Sequence, residues 1–364
     1  MLIRLAARYL RPYVGLLAAV VVLQTVGALA SLWLPTINAR IIDDGVSQGD
    51  VGQIWRLGGV MLAVSFVQVV CAIAAVWCGA QAAMAFGRDV RRALFSRVLS
   101  FSTRELNRFG APSLITRNTN DVQQVQMLVV ITCTVVVAAP VTMVGGIVMA
   151  LREDPGLTWL LVVAMPLLGL FLALIVRHMS PLFRQMQERI DVLNRVLREQ
   201  ITGIRVVRAF TREEHESRRF DSANSELTQT ATSVGRYMAL MFPVVMLITN
   251  VSSVAVVWFG GHRIADGSLQ VGQLTAFLAY LIQILMAVMM STFIFMMLPR
   301  AAVSADRIGE VLNTETSVTP PAAGTTAPAQ GDLLFSSVDF RYPGASQPVL
   351  QDISLQASAG QTVA

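Results

Sequence analysis

The sequence contains no lysine; its 28 basic residues are all arginine. A Schiff-base enzyme and a phosphate-binding loop built on lysine are therefore excluded from these 364 residues. Charge of either sign is scarce, at 14% of residues against roughly 25% in soluble domains. Three cysteines (Cys71, Cys78, Cys133) and three histidines (His178, His215, His262) are scattered without CxxC or metal-ligand spacing, so no metal site is expected. Each cysteine sits in an apolar stretch, where it reads as a small hydrophobe. In place of charge, 54% of residues are apolar and the mean hydropathy is +0.59. Despite a net charge of +5, this composition excludes a disordered tail, a nucleic-acid-binding arm and an ordinary soluble enzyme. It describes a chain largely embedded in a membrane.

Six charge-free windows follow one another: 12–39, 57–87, 122–151, 155–176, 237–262 and 267–299. A spanning helix needs about 20 predominantly apolar residues, and the shortest window has 22. The sequence therefore predicts six transmembrane helices. Arg4, Arg8 and Arg11, the first apolar run and Ala28-Leu29-Ala30 also fit a secretory signal with a cleavage site. The length of that window and its pairing with five others favour a span.

The connectors alternate short and long. The short ones (40–56, 152–154, 263–266) carry four arginines against six acids, and the long ones (88–121, 177–236) carry 18 against 11. Arginine concentrates on the cytoplasmic side, so both termini and both long connectors are expected inside a cytoplasmic membrane. Neither long connector has the Gly/Pro/Ser clusters of a flexible loop. In the second, Ile190, Leu193, Leu197, Ile201 and Ile204 recur at helical spacing, with arginines between them. A 60-residue connector folded on itself gives two limbs reaching roughly 45 Å each. Its tip is expected near residues 209–214, and that of the first connector near 109–113, where Gly110 and Pro112 break the helix. A solvated hairpin that merely connects is the plain alternative.

After the sixth window, residues 300–313 read as a helix and 314–330 as a Pro/Thr-rich linker. The six-helix domain is thus expected over 1–313 and a second domain from 331. There, Leu333–Tyr342 and Val349–Leu355 read as strands, Pro343-Gly344 as a turn, and Thr362-Val363-Ala364 as the start of a third strand. Thirty-four residues cannot bury a core alone, so 331–364 are expected to open a larger domain.

Four segments carry a resemblance to the exporter-fold (type IV) ATP-binding cassette transporters. Residues 109–121 (FGAPSLITRNTND) look like the family's first intracellular loop. Residues 198–220 (REQITGIRVVRAFTREEHESRRF) look like its second. Ser304-Ala305-Asp306-Arg307-Ile308 resembles the helix leaving the sixth span. Asp339-Phe340-Arg341-Tyr342-Pro343, with the strand that follows it and Gly360-Gln361-Thr362-Val363-Ala364, resembles the opening of the nucleotide-binding domain. The first loop is especially similar to one half of heterodimeric bacterial multidrug and lipid exporters, where Ser-Leu-Ile-Thr-Arg also occurs.

The resemblance implies an all-α polytopic membrane domain followed by the first strands of an α/β cassette. It implies an ATP-hydrolysing translocase when the cassette is whole, with ATP and Mg2+ as cofactors held mainly outside these residues. It implies a second, non-identical half-transporter as partner and an amphipathic or lipid-like cargo, with no nucleic acid. Pro112, Ser113, Leu114 and Ile115, and Ala209, Phe210, Thr211, Arg212 and Glu213, would be coupling segments that dock on cassettes, the second on the partner's. Tyr342 would stack on adenine. The phosphate-binding loop would begin just after Ala364, so the residues given hold no ATPase motif.

Candidate cargo contacts are Gln24, Thr25, Gln68, Thr132, Thr142, Asn250 and Gln283, with Met286, Met289, Met290, Met296 and Met297, since adaptable Met surfaces suit promiscuous apolar ligands. For any single Met, packing or lipid contact is the simpler role. With no aspartate, glutamate or arginine inside a window, nothing suggests a proton relay. An importer of lipid or siderophore on the same fold, a secondary transporter or channel, and a non-transporting membrane domain stay open. The last two leave the basic levers and Tyr342 unexplained.

Overall fold

The computed structural model describes residues 1–318, 331–342 and 345–363, without the side chains of Thr292, Phe293, Phe295 and Met296. Most of the linker expected at 314–330, the Pro343-Gly344 turn, Ala364 and the Met296 side chain lie outside the described residues. The chain divides into two compact units, Met1–Glu315 and Thr316–Ala364.

The first unit is helical. Helices α1 (Leu2–Leu10) and α2 (Val14–Arg40), joined by the turn Arg11–Tyr13, lead to α3 (Val51–Leu99). Two short helices follow, α4 (Thr103–Phe109) and α5 (Ala111–Thr116). Then come α6 (Val122–Ile131), α7 (Ala138–Glu153), α8 (Thr158–Ala209), α9 (Glu213–Ala265) and α10 (Val271–Asn313). Single π-helical turns at 41–46, 117–121 and 132–136 join or interrupt them. Six helical stretches are long and apolar enough to cross a membrane, and each expected window falls on one of them. The protein is a multi-pass membrane protein.

The helices end where the sequence provides ends. Asp50 caps α3 through Gln53 N at 3.0 Å. Ser102 and Glu105 form a reciprocal capping box at the start of α4. The carboxylate of Asp154 accepts the amides of Gly156 and Leu157 and ion-pairs with Arg263 Nε at 2.9 Å, tying the turn after α7 to the end of α9. Residues 300–313 form no separate helix: α10 runs unbroken through Pro299, because neighbouring helices in a membrane protein can re-satisfy the backbone group that proline frees.

One core gathers α7, α8, α9 and α10 around Phe277, Tyr280, Leu281 and Ile284. A second gathers α1, α2, α3, α6 and the end of α10 around Phe86, Val90, Val122 and Ile308. Tyr280 is fully buried. Its hydroxyl donates to Leu32 O at 2.8 Å and lies 2.7 Å from Thr36 Oγ1, which in turn donates to Glu153 Oε1 at 2.8 Å. This chain ties spans one, three and six together at the end where the short connectors lie.

The second unit is a two-stranded antiparallel sheet, β1 (Leu333–Phe340) and β2 (Leu350–Ala357), pairing Leu333 with Ala357 and Phe340 with Leu350. Its register shifts between Phe335 and Phe340. Among the described residues the expected third strand is not formed: Gln361–Val363 have no ladder partner, and a strand exists only through one.

Candidate functional site

The two long connectors fold as helical hairpins. The second is the continuation of α8 and α9, helices of 52 and 53 residues. On the first half of α9, Glu216, Phe220, Ala223, Leu227, Thr230, Val234, Tyr237 and Met241 form a sheltered line, with Ser233 beside it. They recur every 3.5 residues, the heptad repeat of a two-stranded coiled coil. On α8 the sheltered line runs through Met186, Ile190, Leu193, Val196 and Leu197, Gln200, Gly203 and Val207.

The expected stripe therefore holds only as far as Leu197. Ile201 and Ile204 point outward, because two successive steps of four outrun a 3.5-residue repeat and the seam passes to Gln200 instead. Gln200 Nε2 donates to Glu216 O at 2.9 Å, Arg219 pairs with Glu199 at 2.6 Å, and Arg189 pairs with Glu226. These polar contacts link the two limbs along the seam.

At the tip α8 ends at Ala209 and α9 starts at Glu213. Thr211 turns the chain at φ 52°, a left-handed conformation that a β-branched residue rarely adopts. Ala209, Phe210, Thr211, Arg212 and Glu213 are all exposed, Phe210 at 72%. Ile201, Ile204 and Val206 add apolar surface beside them. Glu213, Glu214 and Glu216 fill the first turn of α9, where the positive end of the helix dipole favours acids.

The first tip is built differently. Gly110, at φ 76°, separates α4 from α5, and Pro112 stands in the first turn of α5. Pro112 and Ile115 are exposed, Ser113 is half-buried and Leu114 is buried in the core beside Phe109. Just behind lies a polar knot. Asp121, 7% exposed at its side chain, accepts from Ser304 Oγ at 3.1 Å and pairs with Arg307 Nε at 3.3 Å. Arg117 donates to Arg307 O and to Glu310, each at 2.8 Å, and its guanidinium stands 4.9 Å from the centre of the Phe109 ring. Phe101 stacks on Phe109 at 5.8 Å. The knot fastens the first connector to the last turns of α10. Two of the segments singled out in the sequence thus meet through their charges; the pairing itself was not readable, because its members stand 183 positions apart.

The candidate cargo residues do not converge on one described cavity. Gln24 Nε2 donates to the carbonyls of Cys133 and Thr134, at 3.4 and 3.3 Å, which the π turn 132–136 presents. Its amide is thus engaged in holding span one to span three. Thr25, Gln68 and Thr142 are half-buried, and Asn250 and Met290 are exposed. Gln283 is half-buried, with a buried Oε1 that has no hydrogen-bond partner among the described residues. Met286 packs on the core around Tyr280 and Met289 belongs to it. Thr132 lines a 580 Å³ apolar cleft between α1 and the third span.

In the second unit Tyr342 follows β1. Its ring is 60% exposed and meets Phe340 edge-on at 5.0 Å.

Comparison with known proteins agrees with this architecture. The family described as the ABC transporter transmembrane region matches residues 17–288. An uncharacterised ABC transporter ATP-binding protein of Mycobacterium tuberculosis is 52% identical, covering 100% of this chain and 63% of its own length. One of Bacillus subtilis is 34% identical, over 99% of this chain and 62% of itself. A multidrug efflux ATP-binding/permease protein of Mycobacterium bovis is 28% identical, over 98% of this chain and 30% of itself. The chain thus spans less than two thirds of the length of the curated relatives it matches.

Proposed function

Given that the chain belongs to the ABC transporter transmembrane region family, we propose that it is the membrane half of an ATP-driven exporter of amphipathic or lipid-like compounds. It would work by alternating access in the cytoplasmic membrane of a bacterium, with both termini and both hairpins on the cytoplasmic side. The observation that carries the reading is the second hairpin. Two unbroken helices run side by side and end in a tip that exposes Phe210. Exposed apolar surface of this kind marks a docking site.

A helix of 52 residues is about 78 Å long at 1.5 Å per residue. Displacement applied at Phe210 would therefore be delivered to the spans with little loss, because the heptad seam keeps the limbs from sliding. The first tip, Pro112 to Ile115, would take a second push. The knot of Asp121, Ser304, Arg307, Arg117 and Glu310 would pass it to α10, the helix that precedes the second unit in the chain. Tyr342 would hold the adenine of ATP, whose hydrolysis supplies the free energy; the phosphate and Mg2+ chemistry belongs to residues outside this chain. A second half-transporter, non-identical by the resemblance of the first loop, would supply the other half of the cavity. The mycobacterial efflux relative supports two halves, since it is about twice as long as the relatives this chain covers to 63%.

The multidrug name of that relative and the charge-free spans support an apolar or amphipathic cargo. The test is transport by the complete complex in proteoliposomes. Nucleotide-dependent movement of a fluorescent amphipathic cation or a labelled phospholipid is expected. Absence of movement for every amphiphile, with ATP turnover intact, would refute the cargo class.

A further inference from the structure

Two cavities at the short-connector end share a wall. One, of 740 Å³, is an apolar groove lined by Val26 and Leu29 of the first span, Val60, Val64 and Val67 of the second and Val148 of the third. The other, of 390 Å³, is polar and contains Thr36, Arg40, Asp43, Asp44, Glu153 and Gln273. Trp33, Met149 and Arg152 line both. Each has the size of a ligand pocket.

The polar pocket holds two guanidiniums, Arg40 and Arg152, and three carboxylates, Asp43, Asp44 and Glu153. Asp43 accepts the amide of Gly272 at 2.7 Å, and Glu153 accepts from Thr36. Arg40, Arg152 and Asp44 have neither ion-pair nor side-chain hydrogen-bond partner among the described residues. Two guanidiniums and one carboxylate facing this cavity thus keep their bonding capacity, while Asp43 and Glu153 are hydrogen-bonded within the protein and retain their charge. The guanidiniums stand in the last turns of α2 and α7, where the helix dipole also favours a cation.

We propose that these cavities form one site for a phospholipid whose headgroup carries both a phosphate and an ammonium. Arg40 and Arg152 take the phosphate, as guanidinium forks do. Asp44 takes the ammonium, and an acyl chain fills the groove. The depth agrees. Arg40 and Val26 are fourteen residues apart on α2, about 21 Å at 1.5 Å per residue. Half a bilayer including its headgroups is about 20–22 Å. Trp33, at the junction, has the amphipathic ring that suits the boundary between headgroup and chain. The site does not depend on the export reading; a protein of this fold that moved nothing would still hold the lipid.

The test is native mass spectrometry of the full-length protein in mild detergent, titrated separately with phosphatidylethanolamine, phosphatidylglycerol and diacylglycerol. The wild type is expected to retain one phosphatidylethanolamine, to hold phosphatidylglycerol more weakly and to hold diacylglycerol at least about tenfold more weakly still, as loss of charge-assisted bonds implies. Arg40→Gln with Arg152→Gln should lower retention of both phospholipids about tenfold. Asp44→Asn should erase the preference between them. Val67→Phe leaves all three charges in place and fills the groove, and it should weaken both. Equal retention of diacylglycerol, or of phosphatidylethanolamine in the double arginine variant, would overturn the proposal. So would displacement of the lipid by millimolar inorganic phosphate, which would mark a pocket for the free anion.

Discussion

The carboxylate of Asp121 lies 3.3 Å from Nε of Arg307 and accepts the hydroxyl of Ser304 at 3.1 Å, so the end of the first long connector and the final turns of α10 are joined at one buried acid. Arg117, which bonds Arg307 O and Glu310, doubles the joint.

Asp121→Ala should loosen both sides of the joint. It strands the buried Ser304 hydroxyl and frees Arg307, at a cost of about 1.5–3 kcal/mol for hydrogen bonds to a charged group. Hydrogen exchange should show amides of 117–121 and 304–310 losing protection together. Loss on one side alone would mean that the two segments are held by other contacts. Glu310→Gln should do far less, about 0–1 kcal/mol, because that side chain is nearly half exposed.

Tyr280→Phe removes the hydroxyl that bonds Leu32 O and Thr36. Interhelical hydrogen bonds in membranes are worth about 0.6 to 1.7 kcal/mol. The variant should melt lower by that order, and adding Thr36→Val should cost less than the two single changes summed. Full additivity would show that Tyr280 and Thr36 are not coupled.

Thr211→Gly should stabilise the second hairpin. A left-handed residue with a Cβ costs roughly 1–2 kcal/mol, and part of the gain returns as added freedom of the unfolded chain. Amide exchange at the ends of α8 and α9 is the readout. Faster exchange in the variant would contradict the strain assigned to φ 52°.

Val196→Asp should split the lever. Val196 is 4% exposed in the α8–α9 seam, and an unpaired charge there must be solvated. The limbs should become protease-sensitive between residues 190 and 230 while the spans stay folded. Arg219→Ala should leave the lever intact, since an exposed ion pair contributes at most about 1 kcal/mol.

Much of this architecture is legible in the sequence because it rests on local physics. A charge-free window of 22 or more residues has few alternatives to a spanning helix. Gly110 and the polar run after Ala209 mark the ends of helices by their own backbone preferences. What was not legible depends on partners far away in the chain. Gln24 looks like a cavity residue until the π turn at 132–136 is seen to present two carbonyls to it. Ile201 and Ile204 fit a helical stripe, and only the second limb decides that Gln200 takes their place. Thr36 and Tyr280 meet across 244 positions, a pairing that no local pattern encodes.

The most direct measurement is ATP turnover and amphiphile transport, side by side, in the reconstituted complete complex carrying Phe210→Ala and Glu213→Ala. Both side chains are exposed at the second tip, so the melting temperature should stay close to that of the wild type. The lever account predicts that ATP turnover persists while transport falls at least about tenfold, the size of effect expected when a well-packed docking aromatic is truncated. Transport that keeps pace with turnover in this variant would contradict it.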